Sequence, residues 1–75
     1  MNKSKALYPV LESAMERENI RNEHIAICIN KSQRTVENKM SGQTPWIWDE
    51  CVIIHATYFS KVPIGDLFRK AVEAA

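Results

Sequence analysis

Between Ser32 and Gly42 the chain runs Ser-Gln-Arg-Thr-Val-Glu-Asn-Lys-Met-Ser-Gly. Four of these residues, Gln33, Arg34, Glu37 and Asn38, carry hydrogen-bonding patterns that nucleobase edges complement. A glutamine or asparagine amide pairs bidentately with adenine, an arginine fork spans the two acceptors of guanine, and a glutamate accepts from the cytosine amino group. Glu37 can equally repel a phosphate. Side chains of this kind reach base edges only from a helix held away from the body of a domain, and the flanking residues supply the means. Ala26 is small where two helices would cross closely, and Asn30, four residues later, tolerates the left-handed conformation of a tight turn. Ser32 then offers an N-cap oxygen. The helix that follows is expected to bury Val36 and Met40 and to turn Gln33, Arg34, Glu37 and Asn38 outward. The segment reads as a helix, a turn and a second helix.

The rest of the chain supplies elements to support that pair. Apolar residues at Leu7, Leu11, Ala14 and Met15 have helical spacing and predict a first helix from about Leu7 or Tyr8 to Glu18, with Pro9 in its first turn. Asn19 stands where a left-handed C-terminal cap belongs, and Ile20 should pack back on the core. Asn22 is the expected N-cap of helix 2, whose apolar positions are Ile25, Ala26 and Ile29. Helix 3 should run from Gln33 to Met40 and stop at Ser41-Gly42. Gln43-Thr44-Pro45 reads as a connector. Helix 4 should follow Trp46, Ile47 and Trp48, with Asp49 and Glu50 suiting its positive end and Trp48, Cys51, Val52, His55 or Ala56, and Phe59 turned inward. Ser60-Lys61-Val62-Pro63 breaks the pattern, and Pro63 opens a short helix 5 carrying Ile64, Leu67, Phe68 and Val72. Five helices result, with no strand signal and no internal repeat.

Length and composition bound the reading further. Seventy-five residues make a single domain, 1–75, with an ordered core over about 7–70 and a polar segment 1–6 that frays. Hydrophobic residues make up 45% and charged residues 25% of the chain, which suits a globular protein rather than a disordered one. No run approaches the roughly 18 apolar residues of a membrane span, and no secretory leader is evident, so a cytoplasmic location is expected. Cys28 and Cys51 sit in apolar helical patterns as reduced thiols. They and the two histidines, His24 and His55, fit no zinc spacing. No nucleophile–base set, glycine-rich phosphate loop or carboxylate pair is present, so neither catalysis, a cofactor nor a small-molecule substrate is expected. The net charge is only +1, weak for a nucleic-acid binder. Residues 31–48 hold the local excess, with Lys31, Arg34 and Lys39 against Glu37.

From Tyr8 to about Arg69 the chain resembles the Cro/cI-type (XRE-type) helix-turn-helix proteins of phages and prophages. Four segments in order carry the likeness: Tyr8-Pro9-Val10-Leu11, Met40-Ser41-Gly42-Gln43-Thr44-Pro45, Trp46-Ile47-Trp48-Asp49-Glu50, and Ile64-Gly65-Asp66-Leu67-Phe68. The resemblance implies an all-α, five-helix, lambda-repressor-like fold with a central helix-turn-helix. It also implies a homodimer that binds a double-stranded DNA operator, because one domain covers too few base pairs to be selective. It places Gln33 and Arg34 on base edges, with Asn38 and Glu37 on the same outer side. Thr35, Lys31 and Lys39 become phosphate candidates, and Asn22 matches a position that grips the backbone at a helix N-terminus. The chain departs from the family in placing Asn19 and Asn30 where glycine is usual. Lys31 replaces an apolar residue of the turn, and Arg21 replaces a Thr or Ser, which moves the expected cap to Asn22. The dimer surface stays open among helix 5, the Trp46–Trp48 region or both, and the tryptophans read as core or interface. A second reading, a protein-interaction module that has lost DNA, draws on the low charge, Glu37 and the two tryptophans.

Overall fold

A computed structural model describes residues 7–71, and the expectations for 1–6 and for Val72 lie outside them. The described chain is all-helical: α1 (Pro9–Glu18), α2 (Asn22–Ile29), α3 (Gln33–Ser41), α4 (Trp48–Tyr58) and α5 (Ile64–Leu67). No helix among the described residues is long and apolar enough to cross a membrane.

The helix boundaries follow from local chemistry. Pro9 opens α1, where its missing N–H would have had no partner and its fixed φ suits the first turn. The helix therefore starts one or two residues later than the hydrophobic spacing alone suggests. Asn19, Asn30 and Gly42 end α1, α2 and α3 in the left-handed region, at φ of 60°, 60° and 91°. Each end closes by a paired bond of Schellman type. The Ile20 N–H reaches the Met15 carbonyl at 2.8 Å, Lys31 reaches Ala26 at 2.9 Å, and Gln43 reaches Asn38 at 2.9 Å. Asparagine suffices at the first two positions because its short polar side chain tolerates this conformation. At Gly42 the φ of 91° favours glycine, and a Cβ would also approach the Leu7 Cδ2 to 2.7 Å, so the leucine side chain would have to shift to admit one.

The start of α2 differs from expectation. Arg21, not Asn22, is the N-cap residue, and no side-chain oxygen caps this end. Instead His24, in the first turn, turns back so that its Nδ1 accepts the Arg21 backbone N–H at 2.9 Å. The imidazole thus supplies the N3-to-N-cap half of a capping box, while the arginine, having no acceptor, leaves the other half unmade.

Packing places α2 at the centre, against α3 on one side and α4 on the other, while α5 packs on α4 and α1. Leu11, Ile25, Val36, Ile54 and Leu67 are the largest fully buried side chains, each contributing about 1.5–3 kcal/mol by burial. Met40 is only half-buried, packed against this core rather than within it. Trp46 meets Tyr8 and Phe68 edge-on, at ring-centre distances of 6.4 and 5.5 Å. The Ala71 N–H donates to the Leu7 carbonyl at 2.7 Å, which ties the two ends of the described chain together.

Helix α4 is turned relative to the expected face. Glu50, Cys51, Ile54 and Phe59 point inward, whereas Trp48, Val52 and Ala56 face solvent. The helix is apolar on nearly every side, so hydrophobic spacing alone does not choose its buried face. Helix α5 is shorter than expected, ending at Leu67, with Phe68 just beyond it against Trp46.

Candidate nucleic-acid interface

The residues of α3 divide cleanly into two faces. Val36 is fully buried and Met40 half-buried on one side; Gln33, Arg34 and Glu37 are exposed on the other, with Asn38 half-buried at its margin. Ser32 caps the helix, its Oγ accepting the Thr35 N–H at 3.1 Å, and the Thr35 hydroxyl lies 2.9 Å from the same oxygen. Thr35 is thus half-buried and engaged in the cap rather than presented as a free hydroxyl. Gln33 Nε2 donates to Glu37 Oε2 at 3.1 Å, one turn away. This pairing fixes the glutamine amide with its carbonyl oxygen still open and occupies one glutamate oxygen. Arg34 takes part in no ion pair among the described residues, leaving its donor fork available.

The turn and the start of α4 are joined by charge. Glu50 is 5% exposed, and three groups converge on it. Its Oε1 accepts the Ile47 N–H at 3.1 Å, the reach-back that closes the first turn of α4. The same oxygen lies 3.0 Å from the Lys39 ammonium, while Oε2 faces Lys31 at 3.6 Å. Burial acts to raise the Glu50 carboxyl, but the Ile47 N–H, the Lys39 hydrogen bond and the charges of Lys39 and Lys31 together hold it below the usual carboxylate range.

Lys39 requires a correction to the sequence reading, which offered it to a phosphate. The residue is 5% exposed. Its Nζ donates to the Pro45 carbonyl at 3.0 Å, pairs with Glu50 and lies 5.8 Å from the centre of the Trp46 ring. An ammonium with these partners already in place has no reason to leave for solvent. Lys39 fastens α3 to the connector and to α4. Position 39 lies beside Val36 at the margin of its face, and the Pro45 carbonyl, the Trp46 ring and above all the distant Glu50 make a lysine tolerable there.

Lys31 remains half-exposed in the turn, within reach of both Glu50 and solvent. Asn22 is half-buried in the first turn of α2, beside a groove that Arg21, Glu12 and Glu16 also line. The two carboxylates disfavour a phosphate deep in that groove. Arg21 is exposed at the helix start, a cation that sequence reasoning treated only as a change of cap. Its position directly before the α2 N-terminus is the signal that adds it to Asn22 and Lys31 as a phosphate candidate. The structure thus brings Gln33, Arg34 and Glu37 onto one exposed face, sets Asn38 at its edge, uses Thr35 in a cap and withdraws Lys39.

The thiols lie apart from this surface chemistry. Burial first, and then the charge of Glu50, push the Cys51 thiol up, so it stays protonated at neutral pH. No group of three or more His, Cys, Asp or Glu side chains among the described residues is placed to hold a metal ion.

The Glu50 cluster makes stability depend on acid. A carboxyl whose folded pKa lies below its unfolded value stabilises the fold fully above the ordinary glutamate range, and that contribution fades as pH falls through the lowered folded value. Thermal unfolding followed from about pH 7 down to about pH 3 should therefore show a loss of stability beginning near pH 4.3. Part of that loss should vanish in Glu50→Gln. Identical pH profiles for the two proteins would show that Glu50 is not the responsible group. Comparison with family models, with curated proteins and with solved structures finds no significant match to this chain.

Proposed function

We propose that the chain is a lambda-repressor-like helix-turn-helix domain of Cro/cI type that binds double-stranded DNA sequence-specifically. In this reading it is a prophage-type transcriptional regulator, a repressor acting in the cytoplasm as a homodimer. The observation that carries the reading is the pair α2 and α3. A three-residue turn with Asn30 left-handed and Ser32 as cap holds α3 so that Val36 is buried and Gln33, Arg34 and Glu37 face outward. In the major groove Arg34 would read guanine, and Gln33, oriented by Glu37, would read adenine through its free carbonyl and remaining amide hydrogen. Asn38 would serve the edge of the same footprint. Lys31, Asn22 and Arg21 would meet the phosphates on either side.

The second reading, a protein-interaction module on the same framework, is favoured by the net charge of +1 and by the open apolar side of α4. Salt separates the two. Fluorescence anisotropy with a labelled duplex should give an affinity that falls as salt rises, with a log–log slope of about −0.9 for each phosphate neutralised. A duplex affinity that ignores salt, or none at low salt, would contradict DNA binding and leave the interaction module.

A further inference from the structure

We infer that the outward side of α4 and the cleft beside it form a self-association surface, in which Trp48 of each copy enters the cleft of the other about a two-fold axis; the inference rests on the homodimer of the proposed function and specifies its surface. Helix α4 is apolar on both sides. Its inner side is covered by the core, but Trp48 is 65% exposed, with Ile47, Val52 and Ile53 also open. Trp48, Val52 and Ala56 follow one another at four-residue intervals along a single stripe. A helix that is apolar all round is ordinarily covered on both sides, and a contiguous exposed apolar patch marks a contact surface.

Trp48 is also a wall of a cleft of about 350 Å³ whose other walls include Tyr8, Trp46, Cys51, Ile64 and Phe68. Projection and recess therefore belong to the same patch, as a two-fold contact requires, since such a contact sets one surface against itself. The charges fit this pairing. Exposed Asp49 adjoins Trp48, and Lys70 lines the cleft; seating Trp48 in the other copy's cleft brings Asp49 to the side of that cleft that carries Lys70. A patch of one sign would instead repel its copy. The area is also sufficient to matter. An indole buries roughly 150–250 Å², and with Ile47, Val52 and Ile53 it supplies a large part of the roughly 800 Å² per partner of a standard interface.

Sedimentation equilibrium of the full chain without DNA tests the surface independently of the DNA reading. Wild type should interconvert between monomer and dimer over roughly 10 µM to 1 mM. Trp48→Ala should weaken the dimer about tenfold or more, and Val52→Glu should do likewise, with helical circular dichroism unchanged in both. Ile27→Ser, which alters an apolar residue 79% exposed on α2, should leave the dimer intact. A wild type that is monomeric throughout would overturn the inference. A dimer that survives both α4 substitutions, or one that Ile27→Ser abolishes instead, would overturn it as well.

Discussion

Lys39→Ala should destabilise the fold by about 3 kcal/mol, because it takes the nearest cation from a buried carboxylate. A domain of this length holds only about 4–11 kcal/mol in total, so the variant should melt far below wild type or fail to fold. As a phosphate contact, the role the resemblance implied for Lys39, the same change would instead weaken DNA binding uniformly. The geometry decides between them: Lys39 meets Glu50, the Pro45 carbonyl and the Trp46 ring, not solvent. Glu50 retains Lys31 and the Ile47 N–H after the substitution, which keeps the loss toward the lower end of the range for broken buried pairs. Lys39→Met combined with Glu50→Leu removes both charges and fills the space, and should be more stable than Lys39→Ala alone. Chemical denaturation of the three proteins measures this directly. A Lys39→Ala variant with wild-type stability would remove the buried pair from the account.

Arg34→Ala should have the opposite profile. Arg34 is exposed, so the unfolding free energy should stay within about 0.5 kcal/mol of wild type. Its effect should instead appear in recognition. Loss of a bidentate arginine–guanine contact relaxes discrimination at one base position per half-site by about 1–3 kcal/mol, or roughly 5- to 150-fold. Binding of both proteins to a preferred duplex and to its single-base variants provides the comparison. An unchanged pattern of base preferences would take Arg34 off the base-contact face. Read together, the two variants separate a lysine that holds α3 in place from an arginine that α3 presents.

The parts of the fold legible in the sequence were those written in local chemistry. Left-handed caps at Asn19, Asn30 and Gly42, the Ser32 cap and the apolar spacing of Leu11, Ala14 and Met15 each depend on a few neighbouring residues. Helices α1 to α3 accordingly fall within a residue or two of where spacing puts them. The less legible parts depend on contacts distant in sequence. Glu50 reads locally as a favourable charge at the start of α4, and only Lys39 and Lys31, brought in by the fold, reveal it as a buried junction. The orientation of α4 was lost for a related reason: Cys51, Val52, Ile53 and Ile54 are consecutive apolar residues, so the buried side is chosen by what α2 and α5 leave open. His24 as the partner of the Arg21 N–H depends on a side-chain reach that residue type alone does not announce. On the candidate site, spacing from Val36 identified Arg34 and Glu37 as outward. It does not separate Gln33 from Lys39, which lie three residues either side of Val36; the Pro45 carbonyl, Glu50 and the Trp46 ring, all distant from α3 in sequence, draw Lys39 in while Gln33 stays exposed.

The claim that α3 reads DNA is tested most directly by incubating the purified protein with a pool of random duplexes at moderate salt and sequencing what it retains. The account predicts an enriched palindrome whose half-sites lie about 10–10.5 base pairs apart, centre to centre, matching a two-fold dimer with one recognition helix in each major groove. No enrichment, even at low salt, would contradict it.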